Sequence, residues 1–291
     1  MRIRNGTELL ALCGEKGQKI SDVMIFYEAE NTGVAYQDVI QRMTQDFRVM
    51  CLSAKKAFTD GENLSCKIIE NDGKKLWDHY NNGLSLVSPM LTKAMCYALS
   101  TMTVNASMGK IVAAPTAGSC GVIPGVLLSL MEERKIEEGK IVRGLFTAGA
   151  VGLLIAENAT LAGSLGGCQA EIGSACAMAA AAVCEVMDAK PQASLNAAAL
   201  ALKSMMGLVC DPVAGLVEAP CAKRNASAVM TAFGCAEMAL AGVTSVIPFD
   251  EVVFAAADVG RNLPCSLKET SRGGVAITPT ALRLQREIFE K

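Results

Sequence analysis

Small apolar residues dominate the second half of the chain, and this feature restricts the possible folds more than any other. Residues 169–189 read QAEIGSACAMAAAAVCEVMDA, and residues 194–210 read SLNAAALALKSMMGLVC. Apolar residues make up 51% of the 291-residue chain, but aromatic residues only 4%. Because small side chains let helices approach closely, we expect a compact bundle of buried small-residue helices. Alternating, strand-like patterns are scarce, so the predicted class is mostly α, with functional loops at the helix ends.

Turn residues divide the chain and indicate its organisation. Residues 33–58 carry apolar side chains at helical spacing, and the NNG sequence at 81–83 marks a break. We therefore expect one domain over residues 1–291. In it, a more polar helical part, residues 1–83, precedes a core of buried helices, residues 84–291.

Within this core, the positions of proline and glycine residues predict where helices end and loops begin. Two prolines and three glycines place a loop at residues 115–125, PTAGSCGVIPG, and LPCSLKETSRGG places another at 263–274. After the second loop, Thr278 is predicted to cap a helix that begins at Pro279. The other predicted helices cover residues 91–109, 125–140, 144–163, 169–189, 194–210 and 225–243.

Charged residues in the apolar segments argue against a membrane protein. Residues 144–168 are strongly apolar but carry Glu157 and Asn158 near their centre, and the next segment carries Glu171 and Glu185. A charge at the centre of a spanning helix costs about 2.5–3.5 kcal/mol on insertion scales. We therefore interpret these segments as buried helices of a soluble protein. The net charge of −2, without a basic stripe, also argues against a nucleic-acid partner.

Twelve cysteines are many for a chain whose N-terminal segment lacks the cleavage site of a secretory signal. We therefore expect a cytoplasmic, reducing location, where cysteines bind metals, act in catalysis or lie buried rather than form disulfides. Cys176 and Cys184 lie inside the alanine-rich helix. We interpret them as small buried residues, because eight residues of helix rise about 12 Å and one small cluster cannot span Cys168, Cys176 and Cys184.

Cys168, Cys210 and Cys221 differ from the others because each lies at a predicted helix break. Cys168 opens the alanine-rich helix after two glycines, Cys210 closes a helix, and Cys221 opens the next one. A helix N-terminus stabilises a thiolate, and the loop between Cys210 and Cys221 can fold back. The trio is therefore a candidate for an iron–sulfur cluster with one open iron, or for zinc. The alternative is that all three are simply buried.

Three long motifs resemble a known family. They read NASMGKIVAAPTAGSCGVIPGVL, GSLGGCQAEIGSACAMAAAA and CDPVAGLVEAPCAKRN. Over about residues 84–280 the chain resembles the α chain of the iron–sulfur-dependent L-serine dehydratases. The resemblance implies conversion of L-serine to pyruvate and ammonia, with a 4Fe–4S cluster held by Cys168, Cys210 and Cys221 and an open iron for the substrate. It also implies a separate β subunit, because the chain begins directly with the α-type region.

The loop PTAGSCG is the candidate site for the substrate carboxylate. Its glycines can expose backbone N–H groups, and Thr116 and Ser119 add hydroxyl donors. The alternative is a plain turn between helices. Asn105, Ser107 and Lys110 lie just upstream and are further candidates, with capping and surface roles as alternatives.

The sequence leaves the base that removes the Cα proton unassigned. His79 is the only histidine, and it lies in a polar stretch typical of the surface. Lys268, Glu269 and Arg272 lie in the glycine-rich loop near the C-terminus, where a solvated loop is the simpler interpretation. A histidine of the β subunit would explain why this chain offers no convincing base.

Two other functions remain open at this point. A cysteine desulfidase would use a related cluster to expel sulfide instead of water. A non-enzymatic scaffold subunit would use the same cysteines but surround its metal with four protein ligands. A pyridoxal-phosphate dehydratase is disfavoured, because the sequence lacks the lysine-bearing strand–helix pattern of such enzymes.

Overall fold

Thirteen α-helices account for most of the chain in the computed structural model, which describes residues 2–60 and 64–290. Within these ranges the one extended pairing is a parallel bridge between Cys210 and Lys268. The predicted mostly α class is confirmed. The helices are α1 (Gly6–Lys16), α2 (Ile20–Thr32), α3 (Tyr36–Thr59), α4 (Asp72–Asn81), α5 (Pro89–Ala106), α6 (Val122–Arg134), α7 (Glu138–Asn158), α8 (Gly163–Gly166), α9 (Ser174–Val186), α10 (Pro191–Ser204), α11 (Cys221–Leu240), α12 (Phe249–Asn262) and α13 (Pro279–Phe289).

The alanine-rich helix α9 lies at the centre of the core, and all of its 13 residues are buried. It packs against α6, α7, α10 and α11. The thiol of Cys176 donates to the carbonyl oxygen of Ala228 at 3.4 Å, and that of Cys184 lies 3.9 Å from the carbonyl oxygen of Ala236. Both cysteines therefore pack between α9 and α11, which agrees with their interpretation as small buried residues.

The more polar N-terminal helices pack directly on this core. Helix α2 contacts α7, while α3 and α4 contact α5. The buried hydroxyl of Ser21 donates to Glu185 of α9 at 2.7 Å, and Arg143 of α7 pairs with Asp22 at 2.5 Å. Burial raises the pKa of Glu185. The single-domain organisation stays a prediction.

Several predicted helix ends were wrong, because local turn chemistry overrides apolar composition there. Helix α5 ends at Ala106 instead of residue 109, and α10 ends at Ser204 instead of residue 210. Helix α6 begins at Val122, inside the predicted loop, because a proline is tolerated in the first turn, where its missing N–H has no helical acceptor. Thr278 does occupy the N-cap of α13, but its hydroxyl donates to the carbonyl oxygen of Val275 at 2.9 Å.

Helix α7 also ends earlier than predicted, at Asn158 instead of residue 163, so Glu157 and Asn158 lie at a helix end and not near a centre. Glu157 lies 4.0 Å from Arg2, and the side-chain amide of Asn158 donates to the carbonyl oxygen of Arg4 at 2.8 Å. By length and composition alone α7 could cross a membrane, but 67% of its apolar window is buried inside the protein. Burial of this kind is typical of a core helix.

Candidate functional site

The three cysteines that the sequence singles out come together at one end of α9 and α11. Cys168 directly precedes a π-helical segment, Gln169–Gly173, that continues into α9, and Cys221 is the first residue of α11. All three thiols are buried, with at most 6% of each residue exposed. The predicted positions of Cys168 and Cys221 at helix starts are therefore confirmed.

The position of Cys210 differs from the prediction that it closes a helix. Five residues separate it from the end of α10, and its backbone pairs with the C-terminal loop instead. The N–H of Cys210 donates to the carbonyl oxygen of Leu267 at 2.9 Å, and the N–H of Glu269 donates to that of Cys210 at 2.8 Å. The predicted loop at residues 263–274 thus positions Cys210, a candidate ligand, through backbone hydrogen bonds.

Burial dominates the acid–base behaviour of these thiols. It raises the pKa of Cys168 to about 11 and that of Cys221 to about 12, and it also raises the pKa of Cys210. Negative charge on the Cys168 sulfur raises the pKa values of Cys210 and Cys221 further, because the three side chains are electrostatic neighbours. Burial alone also raises the pKa of Cys120 to about 12, so proximity, and not the pKa, distinguishes the trio.

Gly167 fixes the backbone immediately before Cys168. Its φ of 76° and ψ of −178° belong to a region that residues with a Cβ adopt at high cost. A Cβ there would lie 2.9 Å from the carbonyl oxygen of Leu208, and that oxygen accepts the N–H of Gln169 at 2.9 Å. The glycine therefore permits the close approach that brings Cys168 beside the segment carrying Cys210.

Arg224, in the first turn of α11, connects the segments that carry the three cysteines. One guanidinium nitrogen donates to the carbonyl oxygen of Val209 at 2.8 Å. Another guanidinium nitrogen lies 2.9 Å from Oδ1 of Asp211 and forms an ion pair with this carboxylate. Burial raises the pKa of the Cys168 thiol, and the positive charge of the nearby guanidinium opposes this effect. The sequence marks Arg224 only as a charge near Cys221.

Glu171 lies in the site, although the sequence did not predict a functional role for it and indicated only that its charge argues against membrane insertion. Its Oε1 accepts the hydroxyl of Thr116 at 2.7 Å, and its Oε2 lies 4.0 Å from the sulfur of Cys210. Burial raises the pKa of this carboxyl group. A carboxylate three residues after a candidate ligand, in an otherwise apolar segment, is a signal that would have indicated a role in the site.

Two glycines pack closely against the Glu171 carboxylate. A Cβ on Gly163 would lie 2.5 Å from Oε2 and 3.2 Å from the Cys210 sulfur, and a Cβ on Gly118 would lie 3.1 Å from Oε1. A side chain at either position would therefore crowd the carboxylate. The absence of both Cβ atoms lets Glu171 lie directly against these two backbone segments.

The loop that is predicted to bind the substrate carboxylate (residues 115–121, the carboxylate loop) lies against the side chain of Glu171. The hydroxyls of Thr116 and Ser119 are 3.2 Å apart, and Ser119 is fully buried behind Thr116. Asn105 donates to the carbonyl oxygen of Ala117 at 3.3 Å. Asn225 of α11, which the sequence does not identify, donates to the carbonyl oxygen of Gly118 at 2.8 Å. The loop is thereby attached to the helices α5 and α11.

Among the other candidates, Lys268 and Glu269 pair with Cys210 through the backbone. In the described part of the chain, Ser107, Lys110, His79 and Arg272 form no hydrogen bond or ion pair with the three cysteines. The hydroxyl of Ser107 lies 3.5 Å from the sulfur of Cys66. Lys110, His79 and Arg272 have exposed side chains. A substrate contact of Asn105, Ser107 or Ser119 stays a prediction.

The donor set fits a cluster better than a single ion. Among residues 2–60 and 64–290, no three His, Cys, Asp or Glu side chains are arranged to hold one metal ion. A zinc ion would require its sulfur ligands about 2.3 Å from one centre. A cluster distributes thiolates over several irons, so thiols that are neighbours without converging on one point still fit it.

Fold and site together define an all-helical protein with a buried three-cysteine centre. The chain matches the family model described as "Serine dehydratase alpha chain" over residues 15–276. It is 46% identical, over 98% of its length and 95% of the relative, to the probable L-serine dehydratase, alpha chain, of Bacillus subtilis. It is 42% identical to the L-serine dehydratase, alpha chain, of Peptoniphilus asaccharolyticus over 99% of both chains.

An L-serine dehydratase of Streptomyces coelicolor is longer: it is 36% identical over 94% of this chain, and the match covers 60% of that protein. The chain belongs to the serine dehydratase alpha chain family, as its motifs predict.

Proposed function

We propose that this chain is the catalytic α subunit of an L-serine dehydratase (L-serine ammonia-lyase), which converts L-serine to pyruvate and ammonia. The observation that carries the proposal is the gathering of Cys168, Cys210 and Cys221 in a chain of the serine dehydratase alpha chain family. Relatives that match over nearly their full length are named L-serine dehydratase, alpha chain. The reaction is a lyase reaction that removes the β-hydroxyl group and the Cα proton.

The proposed cofactor is a 4Fe–4S cluster held by Cys168, Cys210 and Cys221. When bound, such a cluster supplies an open iron that acts as a Lewis acid on the serine hydroxyl. Support comes from three buried neighbouring thiols and from the guanidinium of Arg224, whose charge acts on Cys168. A cation beside a thiolate stabilises the charged form that metal binding requires.

The loop at residues 115–121 is proposed to hold the substrate carboxylate. In the described part of the chain, the N–H groups of Ala117 and Gly118 donate no hydrogen bond. They open the short 3-10 turn that follows Thr116, and two adjacent free N–H groups are suited to a carboxylate. Ser119 orients the Thr116 hydroxyl, and burial of the loop excludes water from one side of the substrate.

A separate β subunit is proposed to complete the site and to supply the base. The name "alpha chain" of two relatives supports a second chain. The only histidine of this chain, His79, is exposed on α4. A cytoplasmic location and a role in amino-acid catabolism and gluconeogenesis stay predictions.

The test is anaerobic reconstitution with iron and sulfide, followed by iron and sulfide analysis, visible absorbance and pyruvate formation from L-serine. Replacing Cys168, Cys210 or Cys221 by Ser should remove both absorbance and activity, because each removes one of three thiolates. The matched controls Cys176→Ala and Cys184→Ala should retain both, because these thiols only pack against backbone carbonyls of α11.

Three results would contradict the proposal. A protein that contains only zinc would exclude the cluster. Loss of the cluster in Cys176→Ala to the same extent as in Cys168→Ser would show that the ligands are assigned wrongly. Release of sulfide from L-cysteine, without pyruvate from L-serine, would indicate a cysteine desulfidase.

A further inference from the structure

Glu171 is a half-buried carboxylate whose hydrogen-bonding partners, among the described residues, are all neutral. It accepts one hydrogen bond from Thr116 and lies against the Cys210 thiol. In the described ranges of the chain, no lysine or arginine forms an ion pair with it. A carboxylate withdrawn from water is stabilised by a cation or by several donors, and Glu171 has neither.

The other acidic side chains near the cysteines are either already occupied or exposed. Asp211 pairs with Arg224 and accepts the N–H of Val275 at 2.8 Å. Glu218 accepts the N–H groups of residues 67–69 at 2.7–3.1 Å. Glu269 is exposed in the C-terminal loop. Among the described residues, Glu171 is therefore the carboxylate of this neighbourhood that is both shielded from most of the solvent and without a cationic partner.

The substrate in the proposed function carries three polar groups. Its hydroxyl group is the leaving group, and the free N–H groups of Ala117 and Gly118 suit its carboxylate. Its α-ammonium group needs an acceptor, and an ionised carboxylate forms the strongest hydrogen bond with an ammonium group. Glu171 is attached through Thr116 to this same carboxylate loop, so one small amino acid can reach both.

We propose that Glu171 is a substrate-binding residue whose carboxylate accepts the α-ammonium group of the amino-acid substrate. This inference rests on the proposed function and extends it to substrate selection. Gly163 and Gly118 pack closely against the two carboxylate oxygens and so fix the position of the carboxylate beside this loop. The site therefore selects α-amino acids over hydroxy acids of the same length.

The test compares L-serine with 3-hydroxypropanoate, which has the same carboxylate and hydroxyl groups but no ammonium group. The reconstituted wild-type complex and its Glu171→Gln variant are measured anaerobically for serine turnover and for inhibition by 3-hydroxypropanoate. Glutamine still accepts the hydrogen bond from Thr116 but carries no charge. The KM for L-serine should rise about 10- to 100-fold. The kcat, the inhibition constant of 3-hydroxypropanoate and the iron content should stay the same.

Two further variants keep the test decisive. Glu171→Asp retains the charge with a shorter reach and should restore part of the affinity for L-serine, even if Glu171→Gln lowers the melting temperature. Glu269→Gln removes an exposed carboxylate from the same neighbourhood, and its KM should match the wild type.

Each other outcome overturns the inference in a recognisable way. A fall in kcat at unchanged KM would make Glu171 a participant in the chemistry. Equal weakening of L-serine and 3-hydroxypropanoate would indicate a general positioning role, and loss of iron would indicate a role in holding the cluster. A wild-type complex that forms no pyruvate would contradict the proposed function instead. Calorimetric binding of the two ligands to wild type and Glu171→Gln would then still decide whether Glu171 binds the ammonium group.

Discussion

Arg224 is a single side chain that touches the segments of all three candidate ligands. It lies three residues after Cys221, lowers the pKa of the Cys168 thiol through its charge, and binds Val209 and Asp211 on the two sides of Cys210. Asp211 has only 3% of its side chain exposed, so its charge depends on this partner. Removing one member of a buried ion pair leaves the other charge without compensation.

We expect Arg224→Met to lower the free energy of unfolding of the cluster-free chain by about 3 kcal/mol. Denaturant unfolding under reducing, anaerobic conditions measures this change. The matched control is Lys223→Met, which removes an exposed pair with Asp72 and should cost less than about 1 kcal/mol. Equal effects of the two substitutions would show that Arg224 does not organise the site.

At the scale of elements, the loop between Cys210 and Cys221 is anchored by the N-terminal part of the chain. Glu218 in this loop is 4% exposed, and it accepts the backbone N–H groups of Lys67, Ile68 and Ile69. These residues lie between α3 and α4, far away in sequence. The more polar N-terminal part therefore shapes the loop that joins two candidate ligands.

Glu218→Gln should destabilise this junction by about 2 kcal/mol, because the amide group of glutamine presents its own N–H groups to backbone donors. Hydrogen exchange at residues 67–69 should become faster, and the iron content after reconstitution should fall. Glu70→Gln is the matched control, because that exposed carboxylate pairs only with Lys75 at the surface. Unchanged exchange at residues 67–69 in Glu218→Gln would contradict the anchoring role.

At the scale of the whole molecule, the chain presents candidate ligands and a carboxylate loop but no buried histidine near them. Large apolar side chains are exposed elsewhere, and Met108, directly after α5, has 94% of its surface exposed. It lies three residues from Asn105, which contacts the carboxylate loop. An exposed apolar residue at this position suits a surface that a partner covers.

We therefore expect the purified chain to turn over L-serine poorly and the cognate β subunit to raise turnover by about 100-fold or more, the usual contribution of a positioned base. Pyruvate formation measures this effect. His79→Ala should leave turnover by the reconstituted pair unchanged, because His79 is exposed on α4. Robust turnover by the isolated chain would contradict the division of labour, and its loss in His79→Ala would identify His79 as the base.

Features that depend on short stretches of sequence were predictable. The helix at 36–59, the buried helix α9, and the helix starts at Cys168 and Cys221 follow from apolar spacing, glycine and proline, which act within a few residues. The family also follows from the sequence, because its motifs are continuous segments. The ends of α7 and α10 were less predictable, because apolar residues continue beyond both helices into extended segments.

Only the tertiary structure decided which side chains surround the three cysteines. Thr116 and Glu171 are 55 residues apart in sequence, and Cys210 pairs with a loop near the C-terminus. No local pattern encodes such contacts. They depend on how α5, α9 and α11 pack, and on where the loops at residues 115–121 and 263–274 contact the ends of these helices. The sequence by itself determined the helical class, the family and the candidate ligands. Packing decided that Glu171, Arg224 and Asn225 join them, because these contacts form only when distant helices come together.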